Sequence, residues 1–462
     1  MKLTAAQNRW HRFAYRAARP LVRAISHCLI GFRSDKYIPR HKTFLLMSNH
    51  YTDMDMLVVV NSLRAHSYFV ASAHISHWGW IGRLITFLQR PIWRAKGHTD
   101  AQCAMEILRV LKAGYPVTIF IEGERSWGGR TMPIADSAGR LARMSGVALI
   151  TYRLSDAYLV WPRWSKKKRR GRLYGRVIHE YAPEELAAMT NQQVQELIER
   201  DLHCDFYEDQ RRAPRAYPGE QMAESLETAL YLCPACGESG RLHSRGDLFF
   251  CDCGLRLRLD EYGCFAAAEG GEPPFATIQQ WFDWQQRQLP AYIERRPGVL
   301  AGERRGQSLY RVNGAQLDAL GVGAMSLDRA GLHFALIPQR VQKQARQGAD
   351  NDLQGSVHNK VRDRSGSLAA TQYGDVYGRA GAREYENSQI PSGSLAATQY
   401  GDVYGRAGAR EFHFALDEIT GMAAISQMLL TFSAGGEQYE ARSDHPRSAI
   451  KYVHLYQALK GK

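Results

Sequence analysis

Asn49-His-Tyr-Thr-Asp-Met-Asp55 (NHYTDMD) sets a histidine five residues before an aspartate, between the apolar runs Thr43–Met47 and Met56–Val60. Five residues turn about 500° at 3.6 residues per turn, so the pair cannot share one face of a regular helix. The flanking runs place the motif across a strand-to-helix turn, with His50 in the loop and Asp55 in the first helical turn. Imidazole titrates near neutrality, which suits His50 to general-base work. An aspartate on its Nδ1 would fix the tautomer and stabilise the imidazolium. Asp53 is a rival for that place.

A second block, Phe120-Ile-Glu-Gly-Glu-Arg-Ser126 (FIEGERS), also follows a strand-like run, Pro116–Phe120. In this order and spacing the two blocks resemble the 1-acylglycerol-3-phosphate O-acyltransferase family of lysophospholipid and glycerolipid acyltransferases. The first motif of that family reads NHxxxxD and its third roughly FPEGTRS. The resemblance covers residues 43–205 and implies an α/β acyltransferase domain with His50 and Asp55 catalytic, the acid at Asp55 rather than Asp53. It further implies that Glu122, Gly123 and Arg125, with Arg94 of the second-motif match PIWRAKG, bind the acceptor. Guanidinium groups suit that task because they contact phosphate oxygens in bidentate fashion. The implied reaction moves a fatty acyl group from acyl-CoA or acyl carrier protein to a lysophospholipid such as 1-acylglycerol-3-phosphate, in phospholipid biosynthesis. The chain departs from the pattern at Glu124, where threonine is usual, at Trp93 before Arg94, and at Val147–Thr151, a fourth motif without proline. These changes bear on the acceptor, so an acyltransferase with a different acceptor is an alternative.

The remaining residues set the context. At 462 residues, with 45% hydrophobic and 23% charged side chains, the chain is globular and long enough for two to three domains. A net charge of +14 implies an acidic partner: anionic lipid, acidic carrier protein or nucleic acid. No uninterrupted apolar run reaches the length of a membrane span, and arginines break every apolar stretch before Phe32. Residues 1–42 hold ten lysines and arginines against Asp35 alone, with Trp10, Phe13, Ala17 and Leu21 at helical spacing. They read as a basic amphipathic helix facing an anionic membrane surface, or as an ordinary helix packed on the domain. The expected address is cytoplasmic, peripheral on the inner face of the membrane.

Strands are predicted at Thr43–Met47, Tyr68–Ala71, Pro116–Ile121, Ala148–Tyr152 and Arg176–Tyr181. Helices are predicted over Met54–Leu63, Thr99–Ala113, Ala135–Ser145 and Asn191–Cys204. Residues 206–227, with two prolines and several charges, read as a linker. In 228–265, CPACG at Cys233 and CDCG at Cys251 read as a small zinc ribbon with Cys233, Cys236, Cys251 and Cys253 as ligands. Four thiolates close the coordination sphere, which makes the Zn2+ structural. Residues 290–462 read as a C-terminal β-rich domain closed by a helix, similar in element order to a pleckstrin-homology module.

Within that domain SGSLAATQYGDVYGRAGARE occurs at Ser365–Glu384 and again at Ser392–Glu411, and HFAL occurs at His333 and at His413. Residues 337–416 therefore read as a low-complexity repeat insertion, too poor in large aliphatics to build a core. A reading of another class is a zinc-ribbon protein on nucleic acid. The charge concentrates in residues 1–42 and 166–176 rather than in the ribbon, which argues against it.

Overall fold

The computed structural model describes residues 4–72, 80–94, 101–314, 316–337 and 410–461. Its first unit is a seven-stranded sheet of order β1-β7-β6-β2-β5-β3-β4. The strands are β1 (Phe32–Ser34), β2 (Phe44–Ser48), β3 (Tyr68–Ser72), β4 (Ile92–Arg94), β5 (Val117–Phe120), β6 (Ala148–Ser155) and β7 (Leu173–Tyr181). Every pairing is parallel except β6 with β7. All five residues of β2 are buried, which is why this central strand is an unbroken apolar run instead of an alternating one. Ser48 pairs with both Phe120 and Tyr152, so β2 and β5 end together, β6 runs on three residues to Ser155, and the loops after all three reach one rim of the sheet.

Helices α1 (Ala5–Ile30), α2 (Asp55–Ser62), α3 (Trp80–Gln89), α4 (Ala101–Lys112), α5 (Ala138–Ser145), α6 (Pro183–Ala187), α7 (Asn191–Leu202) and α8 (Phe206–Arg212) accompany the sheet. The predicted strands and helices all occur, with ends shifted by a few residues, except that Thr99 and Asp100 lie outside the described residues. β1 and β4 were too short to show a period. α1 opens with a Thr4–Gln7 capping box and packs on α2, the Tyr15 hydroxyl donating to the carbonyls of Val60 and Leu63 at 2.9 and 3.0 Å. Its other face keeps Trp10, Phe13 and Leu21 exposed beside the arginines. Among the described residues, no helix is long and apolar enough to cross a membrane.

The linker reading of 206–227 is corrected. Phe206 and Tyr207 open α8, and Phe206, Tyr207, Tyr217 and Leu226 are buried in the core shared with the acyl-transfer region. The Tyr217 hydroxyl donates to the Asp156 carbonyl at 3.0 Å. Prolines and charges masked a segment whose widely spaced aromatic residues all turn inward.

The cysteine module is a four-stranded antiparallel sheet of order β11-β10-β9-β8, built from β8 (Leu242–Arg245), β9 (Leu248–Cys251), β10 (Arg256–Leu259) and β11 (Phe265–Ala267). Helix α9 (Ile278–Glu294) seats Trp281 against Phe249 and Phe265, and the Trp281 indole donates to the Leu232 carbonyl.

The C-terminal unit is a second seven-stranded sheet, wholly antiparallel, of order β15-β14-β13-β12-β18-β17-β16. Its strands are β12 (Ala301–Asn313), β13 (Gln316–Leu327), β14 (Gly331–Ile337), β15 (Arg410–Ala415), β16 (Ile419–Ser426), β17 (Leu429–Ala434) and β18 (Glu437–Ser443), followed by α10 (Ala449–Leu459). β15 and β16 stand at opposite ends of this order yet are three residues apart in sequence, so the sheet must curl into a half-barrel. Phe414 of β15 accordingly reaches Phe432 and Tyr439 on strands far from it in the order, at 4.9 and 4.7 Å.

The insertion bounds 337–416 are also corrected. Ile337 ends β14, and His413–Ala415 of the second HFAL copy lie in β15, paired with the first copy so that His333 faces His413. The rest of that expectation, residues 338–409, lies outside the described residues.

Candidate active site

The chain enters the site from β2, and the turn after it is fastened before any catalytic group appears. Asn49, fully buried, both donates to the Leu154 carbonyl (2.9 Å) and accepts from its amide (2.7 Å), tying the end of β2 to β6. His50 follows, with Nδ1 2.8 Å from Asp55 Oδ2. Asp55 is the first residue of α2 and has no exposed surface. Its carboxylate also accepts from the amides of Tyr51 (2.6 Å) and Thr52 (2.9 Å) and from the Thr52 hydroxyl (2.6 Å). A buried carboxylate needs such donors, and the helix N-terminus adds favourable partial charge. With Nδ1 taken, Nε2 is the nitrogen left for a substrate. The ring lies on Phe120, the last residue of β5, with centroids 4.5 Å apart.

The FIEGERS block closes around the same histidine. The His50 amide donates to Glu122 Oε1 at 2.6 Å, and the His50 carbonyl accepts from the Ser126 amide at 3.0 Å. Glu122 Oε2 accepts from the Met132 amide. Both oxygens of Glu122, which the family resemblance assigns to the acceptor, are thus engaged by backbone. Burial holds this carboxyl well above the usual carboxylate range, against the two amide bonds, and nearby Asp55 pushes it the same way.

Gly123 has φ +72°, and a Cβ there would fall 2.7 Å from Arg94 Nη1. Glycine at this position both allows the left-handed turn and leaves room for the guanidinium. Arg125 pairs with Asp53 at 3.2 Å. Asp53, the rival for His50, is therefore placed on Arg125, while Asp55 is placed on the imidazole. Arg94 also lines an apolar cavity of about 440 Å3 between α4, α5 and β5, walled by Ile107, Leu108, Ile121, Leu141 and Met144.

Glu124, the departure from the threonine of the family pattern, forms an ion pair with Arg163 Nη1 at 3.1 Å. Arg163 is buried, lies 4.2 Å over the Trp127 ring, and donates to the carbonyls of Arg125 and, in β16, Ala424. Gln427 reaches the Trp164 carbonyl from the same side. The half-barrel is therefore docked directly behind the FIEGERS loop. Asn49, Ser126 and Arg163 were not singled out from sequence. Asn49 and Ser126 stood inside the quoted blocks, whereas Arg163 had no local signal.

Away from the rim, Cys233, Cys236, Cys251 and Cys253 bring their sulfurs within 4.8 Å of one another, a set that could hold a metal ion.

Comparison with known proteins agrees with the region this geometry marks out. One solved structure, the 1-acyl-sn-glycerophosphate (LPA) acyltransferase PlsC from Thermotoga maritima, is 16% identical over 43% of this chain and 83% of that one. The two chains superpose with a TM-score of 0.35. Residues 30–155, which supply His50, Asp55, Arg94 and the FIEGERS block, match the family model described as Acyltransferase.

Proposed function

We propose that the protein is an O-acyltransferase that moves a fatty acyl group from a thioester donor to the hydroxyl of a lysophospholipid such as 1-acylglycerol-3-phosphate, in phospholipid biosynthesis. The observation that carries this reading is the pair of a partly exposed His50 on a buried Asp55 at 2.8 Å, in a stretch matching the acyltransferase family model. His50 Nε2 takes the acceptor's hydroxyl proton as the oxygen attacks the thioester carbonyl. The carbon–sulfur bond then breaks, and the leaving thiolate takes the proton back from the imidazolium. Asp55 stabilises the charged ring between the two transfers. A base so placed is worth roughly 10²–10⁴-fold in rate.

Arg94 and Arg125 are assigned to the acceptor's phosphate, with Gly123 making space for Arg94. The apolar cavity that Arg94 lines suits a ligand with an anionic head and an acyl tail. Glu122 is assigned a positioning role, holding the His50 backbone, because both its oxygens are engaged by amides.

The cysteine cluster fits structural Zn2+. Thiolates about 2.3 Å from a tetrahedral zinc lie roughly 3.8 Å from each other, and the Cys233–Cys253 and Cys236–Cys251 sulfurs are 3.7 and 3.8 Å apart. Peripheral attachment to the inner face of the membrane is supported by exposed Trp10 and Phe13 on α1, with Phe87 on α3 beside Trp10, among arginines.

The test is radiolabelled acyl transfer to lysophosphatidic acid from acyl-CoA and from acyl carrier protein, wild type against His50→Ala. Product lost by orders of magnitude in the variant supports the reading. Equal rates in the two proteins, or no product with either donor, refute it.

A further inference from the structure

A cavity of about 500 Å3 opens where the end of α1 meets the start of β1 and the segment leading into β7, and no role assigned so far uses it. Four arginines line it: Arg33, Arg170, Arg172 and Arg215, with His27 beside them. Among the described residues only Arg172 has a carboxylate within ion-pair distance, Asp156 at 3.6 Å. Arg33, Arg170 and Arg215 have none at that distance, although the Asp156 charge also acts on Arg215, whose Nε is buried without a hydrogen-bond partner. Four guanidinium groups around one cavity repel each other, and holding them together makes sense chemically if a polyanion offsets the charge.

The backbone is shaped to the same end. Gly31 ends α1 with φ +66°, and a Cβ there would fall 2.1 Å from the Gly171 carbonyl oxygen. Only glycine lets the two chain segments meet so closely beneath the arginines.

The cavity shares a rim with His50. β7 runs antiparallel to β6, and β1 runs with β7, so the starts of β1 and β7 lie beside the end of β6, past the level of Tyr152 at which β2 finishes. Three strand spacings separate β1 from β2, roughly 14 Å across the sheet, with an offset of about 10 Å along the strands. That separation is comparable to the extended pantetheine arm that parts the phosphates of coenzyme A from its thioester.

We propose that this cavity binds the phosphate groups of a coenzyme A thioester, placing the acyl donor on the rim of the sheet with its carbonyl toward His50. The inference rests on the acyl-transfer reading above. Four guanidinium groups against the single carboxylate of Asp156 match a ligand with a diphosphate and a ribose phosphate better than the single phosphate of a common lipid headgroup, since each bidentate arginine engages two phosphate oxygens. The exposed aromatic patch stands well away, because Phe13 and His27 are separated by about 21 Å of helix at 1.5 Å per residue.

The test titrates coenzyme A calorimetrically into wild type, Arg33→Ala/Arg170→Ala and Arg215→Ala proteins, each checked for an unchanged melting transition. The same proteins are assayed for acyl-CoA turnover and for binding to phosphatidylglycerol vesicles. Arg33 and Arg170 are exposed, so the double variant removes no packed side chain. The expected result is coenzyme A affinity weakened at least about tenfold, with the KM for acyl-CoA rising in step and kcat within about twofold. Coenzyme A affinity unchanged in all variants overturns the proposal, as does a wild type that does not bind it. Loss of vesicle binding with coenzyme A affinity intact also overturns it and makes the cavity a headgroup site. Failure of the acyl-transfer reading is seen separately: His50→Ala would keep its turnover while the arginine-dependent titration stood.

Discussion

The two sequence blocks at the rim are built in opposite ways. NHYTDMD is nearly self-sufficient: the donors to Asp55 are His50, Tyr51 and Thr52, all within five residues of it. FIEGERS is a junction, and each polar side chain in it meets a different part of the molecule. Glu122 holds the backbones of His50 and Met132, Gly123 lies under Arg94, Glu124 meets Arg163, Arg125 meets Asp53 and Ser126 donates to the Arg130 carbonyl. The contrast teaches that the chemistry is contained in a short turn, while its placement relative to the remaining domains is delegated to the second block.

That contrast makes graded predictions. Asp55→Asn leaves the turn with a wrong donor on the imidazole and should cost about 10⁴ in kcat, the scale seen when a triad aspartate is amidated. Glu122→Gln should cost far less, on the order of tenfold, and should appear in kcat rather than in the acceptor's KM. Steady-state kinetics on both variants decide this. A KM effect at Glu122 would instead return that residue to the acceptor.

Substituting Arg163 by methionine tests the junction through stability. Burial pulls this guanidinium down to about 10, with Glu124 opposing the shift. Removing one partner of a buried pair costs about 3–5 kcal/mol. Denaturant unfolding should therefore show a large loss for Arg163→Met and partial recovery in Arg163→Met/Glu124→Thr, which relieves the orphaned carboxylate. Additive losses would mean that the two residues do not act as a pair.

A smaller effect is expected with pH. His454 on α10 is buried, its Nδ1 2.9 Å from the Tyr231 hydroxyl. Burial lowers its pKa to about 4, while the Glu124 charge acts in the opposite sense. The folded protein keeps this ring neutral where the unfolded chain takes up a proton. Stability is thus full above the ordinary pKa of 6.5 and falls as the pH drops from there toward 4. The loss is about 1.4 kcal/mol per pH unit, and His454→Gln should flatten the fall measured by thermal melts at pH 7, 6 and 5. An unaltered slope would move the effect to other groups.

The smallest expected change comes from replacing residues 337–409 with an Asn-Gly turn, because Leu336 and Arg410 already face each other at the open end of a hairpin. The Tm should move by less than about 4 °C. Removing 337–416 instead takes away β15 with Phe414 and should cost about 3–5 kcal/mol, the scale of losing a buried phenylalanine alone. Parallel melts of the two deletants make this comparison direct.

The sequence by itself determined the local facts. An apolar run before Asn49 and another after Asp55 dictate a strand-turn-helix, and that turn brings a histidine and an aspartate together whatever surrounds it. The CPACG and CDCG spacings likewise bring four sulfurs to one point. Tertiary structure decided everything that depends on residues distant in the chain. It turned both oxygens of Glu122 onto backbone, gave Glu124 a partner from beyond β6, and drew 206–227 into the core. It also gathered Arg33, Arg170, Arg172 and Arg215 around one cavity. The physical reason is range: a hydrogen-bonded turn is set by a few neighbouring dihedral angles, whereas burial and ion pairing are set by which surfaces the folded chain brings into contact.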